Sequence, residues 1–147
     1  MNGVSLFSSA GIAETYFKDN GINILVASEL IKKRCDIHSW LYKDCHTICG
    51  DITEPEVFEQ IKNEAIKNNC KFLIATPPCQ GMSTAGLQKK DDPRNRLILH
   101  VINAIKTIKP KFVIIENVPE ILTTTIEINN QWINIDTLLN KELSNDY

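Results

Sequence analysis

The chain has 147 residues, 43% of them hydrophobic and 23% charged, with a net charge of −2. That is the size of one ordinary domain able to build a core, and its balance carries no basic footprint, which counts against a complete nucleic-acid-binding protein though not against a catalytic portion of one. No stretch approaches the roughly 18 apolar residues of a membrane span, and "MNGVSLFSS" has no basic region before its apolar residues, so neither membrane association nor a signal peptide is expected.

In chain order, "VSLF" (4–7) is a first strand, followed by "SSAG" and a helical pattern running to Asn20. "INILVAS" (22–28), rich in β-branched residues, is a second strand, and 29–42 read as a helix. "HTICG" (46–50) is a third strand. Residues 53–69 read as a helix with Thr53 as N-cap, Pro55 in the first turn and Val57, Phe58, Ile61 and Ala65 on its apolar face. "KFLIAT" (71–76) is a fourth strand. A polar loop reaches about Pro93, a helix covers 94–109 and stops at Pro110, and "KFVIIEN" (111–117) is a fifth strand. "TTTIEINNQWINI" (123–135) reads as a hairpin, with "NNQ" between two alternating runs. The fourth and fifth strands are apolar on both faces, as a parallel sheet covered by helices on both sides requires. The expected fold is therefore α/β, a doubly wound and mostly parallel sheet.

Five cysteines, Cys35, Cys45, Cys49, Cys70 and Cys79, form an odd set without an export signal and read as reduced thiols of a cytoplasmic protein. Cys45, His46 and Cys49 lack a second paired cluster, so no metal site is expected.

Doubly wound sheets bind ligands at the C-terminal ends of their strands. After the first strand comes Ser8-Ser9-Ala10-Gly11, a small-residue turn whose amides can approach a ligand, or simply a tight strand-to-helix turn. After the second comes Glu29, placed to accept hydrogen bonds from a ribose or, equally, to sit at a helix N-terminus. After the third comes Asp51, able to accept from an adenine amine. After the fourth comes Pro77-Pro78-Cys79-Gln80, a thiol held stiffly by two prolines. After the fifth come Glu116 and Asn117, and a glutamate among apolar strand residues needs a buried partner or a ligand. The first three ends show no cations. The set suits a positively charged nucleoside-type cofactor beside a nucleophilic cysteine better than a phosphate-rich one.

These motifs resemble the DNA cytosine-5 methyltransferases. "LFSSAGIAE" (6–14) is similar to the family's Phe-x-Gly-x-Gly cofactor motif, "ATPPCQGMSTAG" (75–86) to its Pro-Cys-Gln nucleophile loop, "DPRNRL" (92–97) to an Asp-x-Arg-x-x-Leu segment, and "ENVPEIL" (116–122) to its Glu-Asn-Val motif. The resemblance implies a Rossmann-like fold dependent on S-adenosyl-L-methionine. It makes Cys79 the nucleophile and Glu116 the group that holds the cytosine edge. It implies that Phe7, Ser9, Ala10, Gly11, Glu29, Asp51, Ile52, Pro78 and Leu97 form the cofactor site. Gln80, Ser83, Arg94, Arg96 and Asn117 would lie toward the nucleic acid, with a solvated helix start as the competing reading for the two arginines.

The second glycine-motif position is Ser9, and the acid often found before the first Leu-Phe is Ser5. The family continues past this point with further strands, an arginine-bearing segment and a target-recognition region. Residues 1–147 are thus expected to be the N-terminal part of the cofactor-binding and catalytic domain, truncated after about five strands. It would be inactive alone and would dock with its missing half or self-associate. The expected substrate of the whole enzyme is double-stranded DNA with a flipped cytosine. Two alternatives remain: an RNA (tRNA) cytosine-5 methyltransferase, and a non-catalytic cofactor-binding or interaction module.

Overall fold

The computed structural model describes residues 1–82 and 92–147. β1 (Asn2–Leu6), β2 (Asn23–Glu29), β3 (His46–Cys49), β4 (Phe72–Ala75) and β5 (Phe112–Ile115) form one sheet in the order β3-β2-β1-β4-β5. Every neighbouring pair is parallel. The chain builds outward from β1 to β3, then returns to lay β4 on the other side of β1. The gap between the loops leaving β1 and β4 is therefore the switch point at which such sheets take ligands.

α1 (Lys32–Leu41), α2 (Pro55–Lys67) and α3 (Leu97–Ile108) connect the strands. Val4, Leu6, Val26, Leu73 and Ala75 of the central strands are fully buried, with Ile61, Ile98, Val101 and Ile105 of the helices packed against them. Each fully buried Leu or Ile contributes about 1.5–3 kcal/mol relative to exposure.

Several elements depart from the expected ones. Residues 12–20 form two 3₁₀ turns, Ile12–Glu14 and Lys18–Asn20, and no α-helix. Gly11 and Gly21, at φ 83° and 75°, close the segment at both ends. Between them, Glu14 is drawn inward to His38 Nε2 (3.0 Å) and Phe17 edge-on to Phe72, leaving too short a run to repay helix nucleation. α1 starts three residues late because Glu29 pairs with Cys49 as the last residue of β2. Thr53 is not the cap of α2: its amide and hydroxyl both donate to Asp51 Oδ1, at 2.9 and 2.8 Å. Glu54, held extended by Pro55, occupies the cap position. A 3₁₀ turn, Pro93–Arg96, precedes α3, with the Asp92 carboxylate accepting from Arg94 N. Lys109, left-handed at φ 52°, ends α3 before Pro110.

β6 (Thr125–Ile128) and β7 (Gln131–Asn134) form the expected antiparallel hairpin. Asn129 and Asn130 both have positive φ (51° and 62°), as a type I′ turn demands, and asparagine tolerates this conformation better than most residues. A helix not assigned from the sequence follows: α4 (Ile135–Leu143), whose cap Asn134 accepts from Thr137 N. Hairpin and α4 join the core through Ile126, Ile135 and Leu138 but form a sheet of their own, without pairing to β5. Among the described residues β5 is consequently an edge. Val113 and Ile115 are half-buried while Phe112 and Ile114 are 49% and 44% exposed. The fifth strand, apolar on both faces in sequence, is thus only partly covered: one of its faces is open.

Candidate active site

A cleft of about 550 Å³ lies at the C-terminal ends of the strands, across the switch point. Loops from all five strands reach it. Its first wall is the turn after β1. There Phe7 and Ser9 adopt left-handed φ values of 60° and 53°, costly for non-glycine residues and sustained only where neighbours hold them. Ser8 N donates to Ser28 O (2.9 Å), and Ser9 N donates to Glu29 Oε2 (2.9 Å). Phe7 and Ser9 line the cleft. Ala10 and Gly11 are not part of its lining. Gly11 instead packs under Tyr42, whose hydroxyl donates to Gly11 O at 2.6 Å.

Glu29, only 6% exposed, stands at the end of β2 facing the cleft. Its other oxygen accepts from Ile31 N at 2.8 Å, and Arg34 Nη1 lies 3.9 Å away. The carboxylate ties down the approach to α1 and the β1 turn, and each oxygen keeps a spare lone pair. Arg34, from the first turn of α1, also lines the cleft, so these strand ends are not free of cations. Beyond β3, Asp51 and the buried Ile52 complete this side. The bonds Asp51 makes to Thr53 run to Oδ1.

The opposite wall is the Thr76-Pro77-Pro78-Cys79-Gln80 loop, every residue of which lines the cleft. Three contacts set its path. Thr76 Oγ1 donates to Phe7 O (2.9 Å), Asn117 Nδ2 donates to Pro77 O (2.9 Å), and Met82 N donates to Cys79 O (2.9 Å). Gly81 is buried against Asp92 and Asn95, where a Cβ would come within 2.3 Å of Asn95 Oδ1. Cys79 is half-buried in the cleft. Burial pushes Cys35 up to about 12, aided by a hydrogen bond with Cys49. Burial is also the main cause that raises Cys45 to about 12 and Cys70 to about 11. None of these three reaches the cleft.

Glu116 follows the last residue of β5, its amide bonded to Ala75 O at 2.9 Å. Of the two expectations for this glutamate, a buried partner or a ligand, the first is not met: the residue is exposed at the cleft, where water can solvate its carboxylate. Leu97 and Arg94 line the cleft as well. Arg94 is held by a fork of bonds to Asp92, Nε to Oδ1 at 2.9 Å and Nη2 to Oδ2 at 2.7 Å. Arg96 is exposed and outside the lining, and Asn117 sits behind the nucleophile loop with its oxygen accepting from Val118 N. Ser83 falls outside the described residues. The sequence reading missed Ser28, Leu30, Ile31, Arg34, Gly50, Thr76 and Pro77 as lining residues. Each lies within a motif or one or two residues from a candidate residue or, for Arg34, about one helical turn further on.

A cleft of this volume falls in the range of small-molecule sites. An aromatic ring, two carboxylates with spare lone pairs and a third acid beyond the thiol fit S-adenosyl-L-methionine: a ring for the adenine, acceptors for hydroxyl and amine groups, and negative charge near a sulfonium.

The model of the C-5 cytosine-specific DNA methylase family matches residues 1–141. Type II methyltransferase M1.HgaI of Avibacterium volantium is 44% identical over 99% of this chain, which spans 42% of that protein. Type II methyltransferase M.XorII of Xanthomonas oryzae pv. oryzae is 30% identical over 79% of this chain, spanning 28% of that protein. The chain therefore spans less than half the length of these relatives. The crystal structure of S. pombe Dnmt2 methyltransferase superposes with a TM-score of 0.67 at 20% identity, covering 99% of this chain and 42% of that one, and supports the α/β methyltransferase fold. With nearly its whole length accounted for in this way, the chain belongs to the C-5 cytosine-specific DNA methylase family.

Proposed function

We propose that residues 1–147 are the N-terminal, cofactor-binding and nucleophile-bearing part of a cytoplasmic DNA cytosine-5 methyltransferase. The observation that carries this reading is that Cys79 and Glu116 share one cleft with Phe7, Glu29 and Asp51 at the switch point of the sheet. The family whose model matches, C-5 cytosine-specific DNA methylase, favours DNA over RNA as the substrate.

Cytosine C5 is a poor nucleophile until C6 carries an electron-rich substituent. Cys79 Sγ, as thiolate, adds to C6 and pushes electron density to C5. Glu116 holds the N3 edge and the exocyclic amine, so that negative charge does not accumulate in the ring as the bond forms. When bound, S-adenosyl-L-methionine supplies a sulfonium methyl group that this activated C5 takes up. Loss of the C5 proton to a base then expels Sγ and restores the ring. Phe7 stacks on the adenine, Glu29 takes the ribose hydroxyls, Asp51 and Ile52 the adenine edge, and Pro78 and Leu97 close the sides. Ser9, Ala10 and Gly11 supply the turn. The base reaches this pocket only when flipped from the duplex. Gln80, Arg94 and Arg96 face the nucleic acid, Ser83 is assigned to it by resemblance to the family, and Asn117 acts toward it through the loop it holds.

Titration calorimetry with S-adenosyl-L-homocysteine tests the cofactor assignment. The parent chain should bind it. Glu29→Ala should bind about ten- to hundredfold more weakly, since it loses charge-assisted bonds and leaves Ser9 N without its partner. Equal affinities would remove Glu29 from the ribose.

The open β5 edge carries a second expectation. Its outer backbone groups and the exposed Phe112 and Ile114 form a template for further strands. The chain alone should self-associate or capture a polypeptide that completes the sheet, and should methylate no DNA by itself. Light scattering over a concentration series should show the mass rising. A monomer at the highest concentration would mean that the edge is closed.

A further inference from the structure

We propose that Thr76 is a positioning residue that couples the cofactor turn to the nucleophile loop. The inference rests on the reading of the cleft given above.

Phe7 has a left-handed φ of 60°, a conformation that a bulky residue keeps only when its surroundings over-determine it. Its carbonyl is the fixed point. Thr76 Oγ1 donates to it at 2.9 Å, while Thr76 N donates to Leu6 O at 3.1 Å. One residue thus grips two successive carbonyls where β1 becomes the turn. The same residue begins the nucleophile loop. Pro77 and Pro78 follow it, each with φ fixed by its ring, and Pro77 O is held by Asn117 Nδ2. Between the Phe7 carbonyl and Cys79 there is one hydrogen bond and a short, stiff stretch of backbone. A ligand that presses on the Phe7 ring therefore acts on the Cys79 loop through the Thr76 hydroxyl.

Thr76→Val keeps the shape and removes the bond. Thr76→Ser keeps the bond with a smaller side chain. Two readouts separate coupling from general support. The first is the affinity for S-adenosyl-L-homocysteine by calorimetry. The second is the alkylation rate of Cys79 by iodoacetamide, resolved by peptide mass mapping with and without that ligand, with exposed Cys49 as internal reference. Thr76→Val should bind about two- to tenfold more weakly. Its Cys79 alkylation rate should lose most of the response to ligand that the parent shows, while Cys49 is unchanged. Thr76→Ser should restore both. Unchanged affinity and an unchanged Cys79 response in a folded Thr76→Val chain would overturn the inference while leaving the cofactor site intact. Absence of binding by the parent chain would overturn the reading of the cleft and the inference with it.

Discussion

Cys79→Ser should abolish methyl transfer in an enzyme completed with its C-terminal part, by on the order of a thousandfold or more, while leaving cofactor affinity unchanged. The argument rests on where the sulfur stands and on what cannot replace it. Cys79 is the cysteine among the cleft's lining residues, on a loop fixed at Thr76, Pro77 and Met82. A serine there retains the geometry, but its hydroxyl ionises far less readily than a thiol, so almost no nucleophile forms. No other thiol steps in. Cys35 and Cys70 are buried and kept protonated well above neutral pH, and Cys49, though exposed, is not among the residues that line the cleft. Transfer of a labelled methyl group to DNA, run beside calorimetry with S-adenosyl-L-homocysteine, separates the two effects. Turnover near the parent rate would remove Cys79 from its role. Loss of cofactor binding together with turnover would show that the substitution had damaged the pocket as a whole.

Gly11→Ala should be among the most destabilising single-methyl changes in the chain. Gly11 has φ 83°, and a Cβ placed on it would lie 2.2 Å from Tyr42 Cε2, far inside contact distance. Accommodating it displaces a ring whose hydroxyl is bonded to Gly11 O and which packs against the buried His38. The left-handed backbone costs about 1–2 kcal/mol and the overpacking about 1–3 kcal/mol, so a loss of about 2–5 kcal/mol is expected. Gly21→Ala is the internal control. It shares a positive φ, 75°, but has nothing within 4 Å of the added methyl, so it should cost only the backbone part. Thermal unfolding of both variants should place Gly11→Ala roughly 2–12 °C below Gly21→Ala. Tyr42→Ala in the Gly11→Ala background should recover part of the difference by removing the obstacle. Equal midpoints for the two glycine variants would show that Tyr42 yields at no cost and that the turn does not depend on this packing.

Much of this arrangement is legible in the residues. Runs such as "FLIA" and "FVII" announce parallel strands because both faces of a central strand are apolar, and the acids, prolines and cysteine after them stand out because polar groups at strand ends seldom serve the core. What escaped the sequence depends on partners distant along the chain. Glu14 belongs to a helical pattern until His38, twenty-four residues on, draws it inward. Thr53 has the chemistry of an N-cap, but Asp51 captures it two residues earlier. Asn117 carries an amide that suits a nucleic-acid contact, yet it bonds Pro77 O forty residues back, which no local pattern could indicate. Glu116 reads as a strand glutamate in need of a buried partner or a ligand, whereas β5 ends one residue before it and leaves it exposed at the cleft.

The covalent step is the centre of the account, and a mechanism-trapping substrate tests it most directly. The chain would be completed with the C-terminal region of the 44%-identical relative and incubated with S-adenosyl-L-methionine and duplex DNA bearing 5-fluorocytosine at the target. Fluorine at C5 leaves no proton for a base to remove, so an enzyme that adds a thiolate to C6 stays bonded to its product. Peptide mass mapping should find the methylated nucleotide on Cys79 and on no other cysteine. Normal methylation of unmodified DNA by the same preparation, with no covalent complex on the fluorinated duplex or with the adduct on a different residue, would contradict it.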